Sequence, residues 1–327
     1  MSAQEPEPGQ TNPSSQPPID AQSHQLQAAP DQQSARSSLA QQPQTASVIQ
    51  EERDAQRSVA QADERAERRW KLIETIILWA AWIIMVGFNG YAEVFKFNGT
   101  TTGKVAYSAN VWFMPAGWAF AIWGIIYIGL AVWLVRYCVA GPSRKQLGAL
   151  PISLSGLLFV ATCLLNICWL AFWHLRQFTI SLIIIAVLTA LVWVLYAIAR
   201  RDSSQANTAK PARTLDWAPL SLYGTWLSVA TVLNAFYDVE VLSGGMSDVI
   251  QVFAVIILLC LLFIVAFLME QKVRDWIFGL VLLWSAVAIG IQILDRNTAV
   301  GLLVIAIAAV GDLLVYFPWD KFKLVRR

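Results

Sequence analysis

Eight apolar stretches, each close to the ~20 residues an α-helix needs to cross the hydrocarbon core of a bilayer, constrain this chain more than anything else in it. They lie near 72–92, 115–139, 151–173, 178–199, 218–237, 248–269, 275–294 and 298–318. In hydrocarbon a backbone must satisfy its own N–H and C=O groups, which leaves helices or a closed barrel, and unbroken runs of this length are helices. The chain therefore reads as an all-α integral membrane protein with about eight transmembrane helices. Composition agrees, with 57% of the 327 residues hydrophobic and 14% charged, outside the range of soluble domains. Three runs open on a proline (Pro115, Pro151 and Pro219), a residue tolerated in a first helical turn, where its missing N–H has no partner to lose.

The ends differ from the middle. Residues 1–50 are rich in Gln, Ser, Pro and Ala and cannot build a core, so a disordered tail is expected. Residues 51–70 mix acid and base at helical spacing, which predicts a juxtamembrane polar helix. Its Arg65, Arg68 and Arg69, with Lys71, either touch anionic lipid or form a solvated face. Glu5, Glu7, Asp20 and Asp31 precede the first arginine, Arg36, unlike an organelle presequence. With no secretory signal either, the first span is expected to serve as an uncleaved anchor. Lys and Arg number seventeen on the side of the N-terminus and four (Lys96, Lys104, Arg176 and Arg296) on the other. That bias predicts an even number of spans with both termini cytoplasmic. Which membrane it is stays open. The net charge of +2 points to no nucleic-acid partner. Cys138, Cys163, Cys168 and Cys260 lack metal-site spacing and read as small buried hydrophobes.

Polar and aromatic residues fall in stripes within three spans. Thr162, Asn166, Trp169 and Trp173 share one face of the third. On the fifth, Pro219, Tyr223, Trp226, Ala230, Asn234 and Tyr237 do the same, and Phe120, Trp123 and Tyr127 make a shorter stripe on the second. An amide at membrane depth has to face the bundle interior. Either Asn alone is explained as a hydrogen bond between helices; three aromatic stripes with two amides point to a pocket for something flat or lipophilic. Trp70, Trp112, Trp276 and Trp319 sit at span ends and read as interfacial anchors.

These residues resemble those of the translocator-protein or tryptophan-rich sensory protein family (TspO/MBR, once called peripheral benzodiazepine receptors). Residues 115–127 read Pro-Ala-Gly-Trp-Ala-Phe-Ala-Ile-Trp-Gly-Ile-Ile-Tyr, similar to the family's Pro-Pro-x-Trp-x-Phe run with a following Trp and Tyr. Residues 165–172 contain Leu-Asn-x-x-Trp and a later Phe, and residues 219–234 run from Pro through Trp226 to Ala-x-x-Leu-Asn. The motifs span about 115–234. They imply a TspO-like five-helix bundle over 71–240, followed by three additional transmembrane helices over 245–327. They also imply a pocket lined from the second, third and fifth helices under a lid formed by residues 93–112. Carried over, the ligand-binding residues are Trp123, Asn166, Trp169, Phe172 and Trp226, with Phe120, Tyr127 and Asn234 beside them. The implied ligand is hydrophobic or a tetrapyrrole such as protoporphyrin IX or haem, held for sensing, sequestration or transport; no cofactor is required. Membrane lipids are the other implied partners, and a homodimer is an open assembly. Ala116 departs from the double proline, and Tyr237-Asp238 stands where animal members carry a basic sterol-recognition run, which argues against a sterol.

Other residues support rival readings. Asp312, inside the last span, is either a transport carboxylate, making the protein a secondary transporter, or a side chain paired with Lys321 or Lys323. His174 is either a haem ligand or an interfacial residue beside Arg176. The sequence names no acid, base or metal for a porphyrin-degrading enzyme, and the chain is read as a non-enzyme. Asn98-Gly99-Thr100 is a glycosylation sequon.

Overall fold

The computed structural model describes residues 32–140, 145–205 and 213–319. Most of the expected tail, His24, and the basic residues Arg144, Lys210, Lys321, Lys323, Arg326 and Arg327 lie outside the described residues. Two compact units divide at Asp63 and Glu64. Helix α1 (Gln32–Val94) begins in the first, inside the stretch expected to lack structure, and from Glu64 onward it belongs to the second. Poverty in apolar side chains rules out a core, but Gln, Ala and Arg are good helix formers. From Val48 to Arg69 the helix is exposed throughout.

The second unit holds the remaining helices. After α1 come the short α2 (Thr102–Ala106), a 3₁₀ turn at Gly117–Ala121, and α3 (Ile122–Ala140). An antiparallel hairpin of β1 (Gln146–Leu147) and β2 (Leu150–Ser153) leads into α4 (Leu154–His174). Then follow α5 (Phe178–Gln205), α6 (Ala218–Leu242), α7 (Asp248–Leu268), α8 (Trp276–Leu294) and α9 (Thr298–Tyr316). Of the three prolines, Pro219 alone opens a helix. Pro151 belongs to β2, and α4 starts instead where the Ser153 hydroxyl accepts from Gly156 N–H (3.0 Å), a stronger start signal than proline. Pro115 precedes the 3₁₀ turn.

Seven of these helices are long and apolar enough to cross a membrane. The eighth expected span, α6, has 25 residues and is long enough, but it carries Ser, Thr, Tyr and Asn along its length. It tolerates them because it is the most enclosed of the set: α3, α5 and α8 pack directly on it. Its first half (Leu220, Tyr223, Trp226, Leu227) joins an apolar cluster with α1, α3, α4 and α5. Its second half (Val229, Leu233, Phe236, Tyr237) joins another with α7, α8 and α9. The three C-terminal helices thus share their core with α6. Outward-facing side chains such as Ile83, Phe253, Leu302 and Leu313 are more than half exposed, as a lipid-facing surface requires.

Glycine sets the closest helix approach. A Cβ at Gly301 on α9 would lie 2.8 Å from Leu294 N and 2.9 Å from Gly290 O at the end of α8. Both are backbone atoms that cannot swing aside, and small residues are what allow membrane helices to pack this tightly. Gly301→Ala is expected to cost about 1–3 kcal/mol through overpacking and to lower the thermal unfolding midpoint in detergent. Gly124→Ala, with nothing within 4 Å of the added carbon, should leave the midpoint unchanged.

Candidate functional site

Trp123, the second residue of α3, is the centre of a ring assembly. It stacks on Tyr127 of the same helix (centroids 5.8 Å, 29° between planes) and on Trp169 of α4 (5.7 Å, 26°). Tyr223 and Trp226 of α6 meet it edge-on at 6.1 and 6.4 Å, and Phe120 meets Trp226 edge-on at 6.0 Å. Offset stacks and edge contacts are the arrangements ring quadrupoles favour. The stripes on three helices converge because each puts its aromatic face inward.

Two cavities border this assembly. The larger, about 430 Å³, is lined by Phe120, Trp123, Tyr127, Trp169 and Leu170, and by Asn89, Gly90 and Glu93 at the end of α1. Thr101, Thr102, Gly103, Tyr107 and Gly117 close its other side. Its size falls within the roughly 300–1,000 Å³ usual for small-molecule sites. The smaller, about 20 Å³, lies behind the same rings among Trp226, Trp173, Asn234 and Leu233, a volume suited to one water. Trp226 borders the inner void alone, with its indole N–H buried and unpaired. Phe172 lines neither cavity, and Asn166 also stays out of both.

The amides are spent inside the protein. Asn166, fully buried, accepts from Asn89 Nδ2 (2.8 Å) and donates to the Tyr223 hydroxyl (3.1 Å), joining α1, α4 and α6. Asn234 Oδ1 accepts from Trp169 Nε1 (3.3 Å) and Ser181 Oγ (3.2 Å), while its Nδ2 donates to Ala230 O (2.8 Å). Both amides therefore hold helices and orient rings. Asn89, their counterpart on α1, was legible as a polar residue inside the first apolar run.

The segment after α1 covers the larger cavity, and α2 forms part of it. His174, fully buried at the end of α4, fastens it. Its Nδ1 faces the Phe97 carbonyl (3.0 Å), which can only accept, so Nδ1 donates and Nε2 takes the Thr102 hydroxyl (3.0 Å). With both ring nitrogens occupied, His174 has none to offer iron. Asn98, the sequon residue, donates to His174 O (2.9 Å). Thr102 N–H donates to Glu93 Oε1 (3.0 Å), and Tyr237 OH donates to Val105 O (2.8 Å). Tyr107 OH donates to Pro115 O (2.7 Å), and burial raises its phenol above the ordinary value. Trp112 is no interfacial anchor: it is buried, with its N–H groups on Gln251 Oε1 (2.9 Å) and Asp248 Oδ1 (3.0 Å) of α7.

Other sequence candidates lie elsewhere. Asp312 on α9 lines neither cavity, and its Oδ1 is buried with no hydrogen bond to another described residue. Cys163 is buried, but Cys168 and Cys260 are exposed on the apolar surface instead of packed inside. Among the described residues no His, Cys, Asp and Glu group could hold a metal. Two buried carboxylates have structural partners: Glu74 takes Ser153 N–H (2.9 Å), and Asp275 takes Tyr196 OH (2.6 Å) and Ser221 Oγ (2.7 Å).

Asn166→Ala strands the Tyr223 hydroxyl and an Asn89 N–H, so a loss of about 1–3 kcal/mol is expected, read as a lower unfolding midpoint. His174→Ala removes two fastenings, and limited proteolysis within residues 95–112 should become several-fold faster while cleavage elsewhere is unchanged.

A family model described as TSPO-like protein matches residues 75–317. No curated protein and no solved structure matches the chain. The match begins within α1 and takes in α7, α8 and α9, which the motifs over 115–234 leave outside. The ring assembly on α3, α4 and α6, the covering segment and the three C-terminal helices thus fall within one match that covers most of the chain, and the protein belongs to the TSPO-like protein family.

Proposed function

We propose that this multi-pass membrane protein binds a flat hydrophobic ligand, of the tetrapyrrole kind exemplified by protoporphyrin IX or haem, for sensing, sequestration or transport. The observation that carries the reading is the 430 Å³ cavity walled on one side by Phe120, Trp123, Tyr127 and Trp169. A planar ligand laid on those rings exchanges water-exposed or lipid-exposed faces for stacking. The bias of basic residues supports an orientation with this segment outside and both termini in the cytoplasm. Binding, not catalysis, is the proposed activity. Asp312, on which the rival reading as a secondary transporter rests, is not among the lining residues of these two cavities.

Titrating purified protein with protoporphyrin IX, and in parallel with its dimethyl ester, should quench tryptophan fluorescence saturably. Trp123→Ala should weaken binding roughly five- to tenfold, the worth of one lost stack. Trp276→Ala, at an exposed position remote from the lining residues, should not change it. Quenching that stays linear with concentration for both compounds would dispose of the reading.

A further inference from the structure

The larger cavity has a charge as well as a shape. Its lining includes one carboxylate, Glu93, and no Lys, Arg or His. Lys96 and Lys104, on the covering segment, are exposed and do not line it. Several polar hydrogens around it are already committed. Asn89 Nδ2 gives its two to Met85 O (2.9 Å) and Asn166 Oδ1 (2.8 Å), and Tyr107 OH gives its one to Pro115 O (2.7 Å). What these groups still offer is lone pairs. Glu93 Oε1 accepts from Thr102 N–H (3.0 Å), and Oε2 makes no hydrogen bond to another described residue.

On the reading that this cavity is the ligand site, we infer that it selects flat aromatic cations, with Glu93 as counter-ion and the Trp123–Trp169 stack as the surface on which the charge lies. A cation over indole faces is attracted by the ring quadrupole, by roughly 0.5–2 kcal/mol depending on how dry the site is. The carboxylate of Glu93, itself exposed, adds a Coulombic attraction that solvent and salt partly screen. A ligand that carries its own carboxylate inward brings like charge against Glu93 with no basic side chain to neutralise either. A dicarboxylic tetrapyrrole must therefore keep its carboxylates outside the mouth. Glu93 acts here as a specificity residue.

Three acridines of nearly equal shape test this: 9-aminoacridine (cation), acridine (neutral) and acridine-9-carboxylate (anion), each titrated by fluorescence into protein in zwitterionic nanodiscs. The expected order is cation tightest and anion weakest, with at least a tenfold spread. Glu93→Gln keeps an acceptor for Thr102 N–H and should cut the cation's advantage over the neutral compound several-fold, to what the indole faces alone supply. Glu93→Asp should retain the preference. Equal binding of cation and anion, or a cation preference undiminished by Glu93→Gln, overturns the inference and leaves the cavity reading standing. Absence of saturable binding by all three overturns both.

Discussion

Hydrocarbon offers no hydrogen bonds, and α6 is full of side chains that need them. Ser221 is answered by Asp275 at the start of α8, Tyr223 by Asn166 of α4, and Ser228 by the Trp193 indole of α5. Thr231 pairs with Thr189 (2.9 Å), Asn234 with Trp169 and Ser181, and Asp238 with Thr179 (2.7 Å). A helix so equipped cannot face lipid, because each unpaired group would cost several kcal/mol there. It must be surrounded, and the surrounding helices must bring partners at matching heights. That requirement fixes which helices touch α6 and at what register. Apolar packing alone, equally well satisfied by lipid tails, does not.

The site follows from that arrangement. Trp169 is held by its indole N–H on Asn234, and Tyr223 by its hydroxyl on Asn166. These two bonds orient two rings against Trp123. The rings are therefore positioned by amides that do not line the larger cavity. Pre-set faces reduce the ordering that a ligand would otherwise impose on binding. The wall formed by the α1 end is different in kind. Asn89 and Glu93 add acceptors to the lining, so the cavity wall carries polar groups as well as aromatic ones.

Periodicity on α3, α4 and α6 was enough to see from residue spacing that Trp123, Trp169 and Trp226 face inward near two amides, because a 3.6-residue repeat leaves no other shared face. It could not say whether an inward amide meets a ligand or a neighbouring helix, since both satisfy it equally. Asn166 proves to meet Asn89 and Tyr223. Phe172 sits only three residues after Trp169, yet lines neither cavity. Trp112 looked like an anchor because indole at a span end usually is one; its contact with Asp248 joins residues 136 positions apart, and no local pattern encodes that. His174 was ambiguous for the same reason: its partners, Phe97 and Thr102, come from a segment whose path is set by tertiary contacts. Pro151 misled because a proline suits a strand edge as well as a first turn.

The three C-terminal helices look dispensable to a pocket lined from α1, α3 and α4, but the covering segment depends on them. Gln251 of α7 takes Trp112 N–H and donates to Asn110 O (2.8 Å), while Asp248 takes the Asn110 amide (3.2 Å) and the Trp112 indole. Arg296, between α8 and α9, donates to Asn110 Oδ1 (2.7 Å). Three side chains from the last part of the chain thus converge on two residues at the far end of the cover, whose near end is held by His174 and Glu93. At the other flank Ala116 N–H donates to Ala288 O (3.0 Å) and the Trp284 indole donates to Ala119 O (3.1 Å), so α8 also braces the turn that carries Phe120 into the cavity wall. The cover over the rings is therefore fastened in part by helices that line no part of the larger cavity.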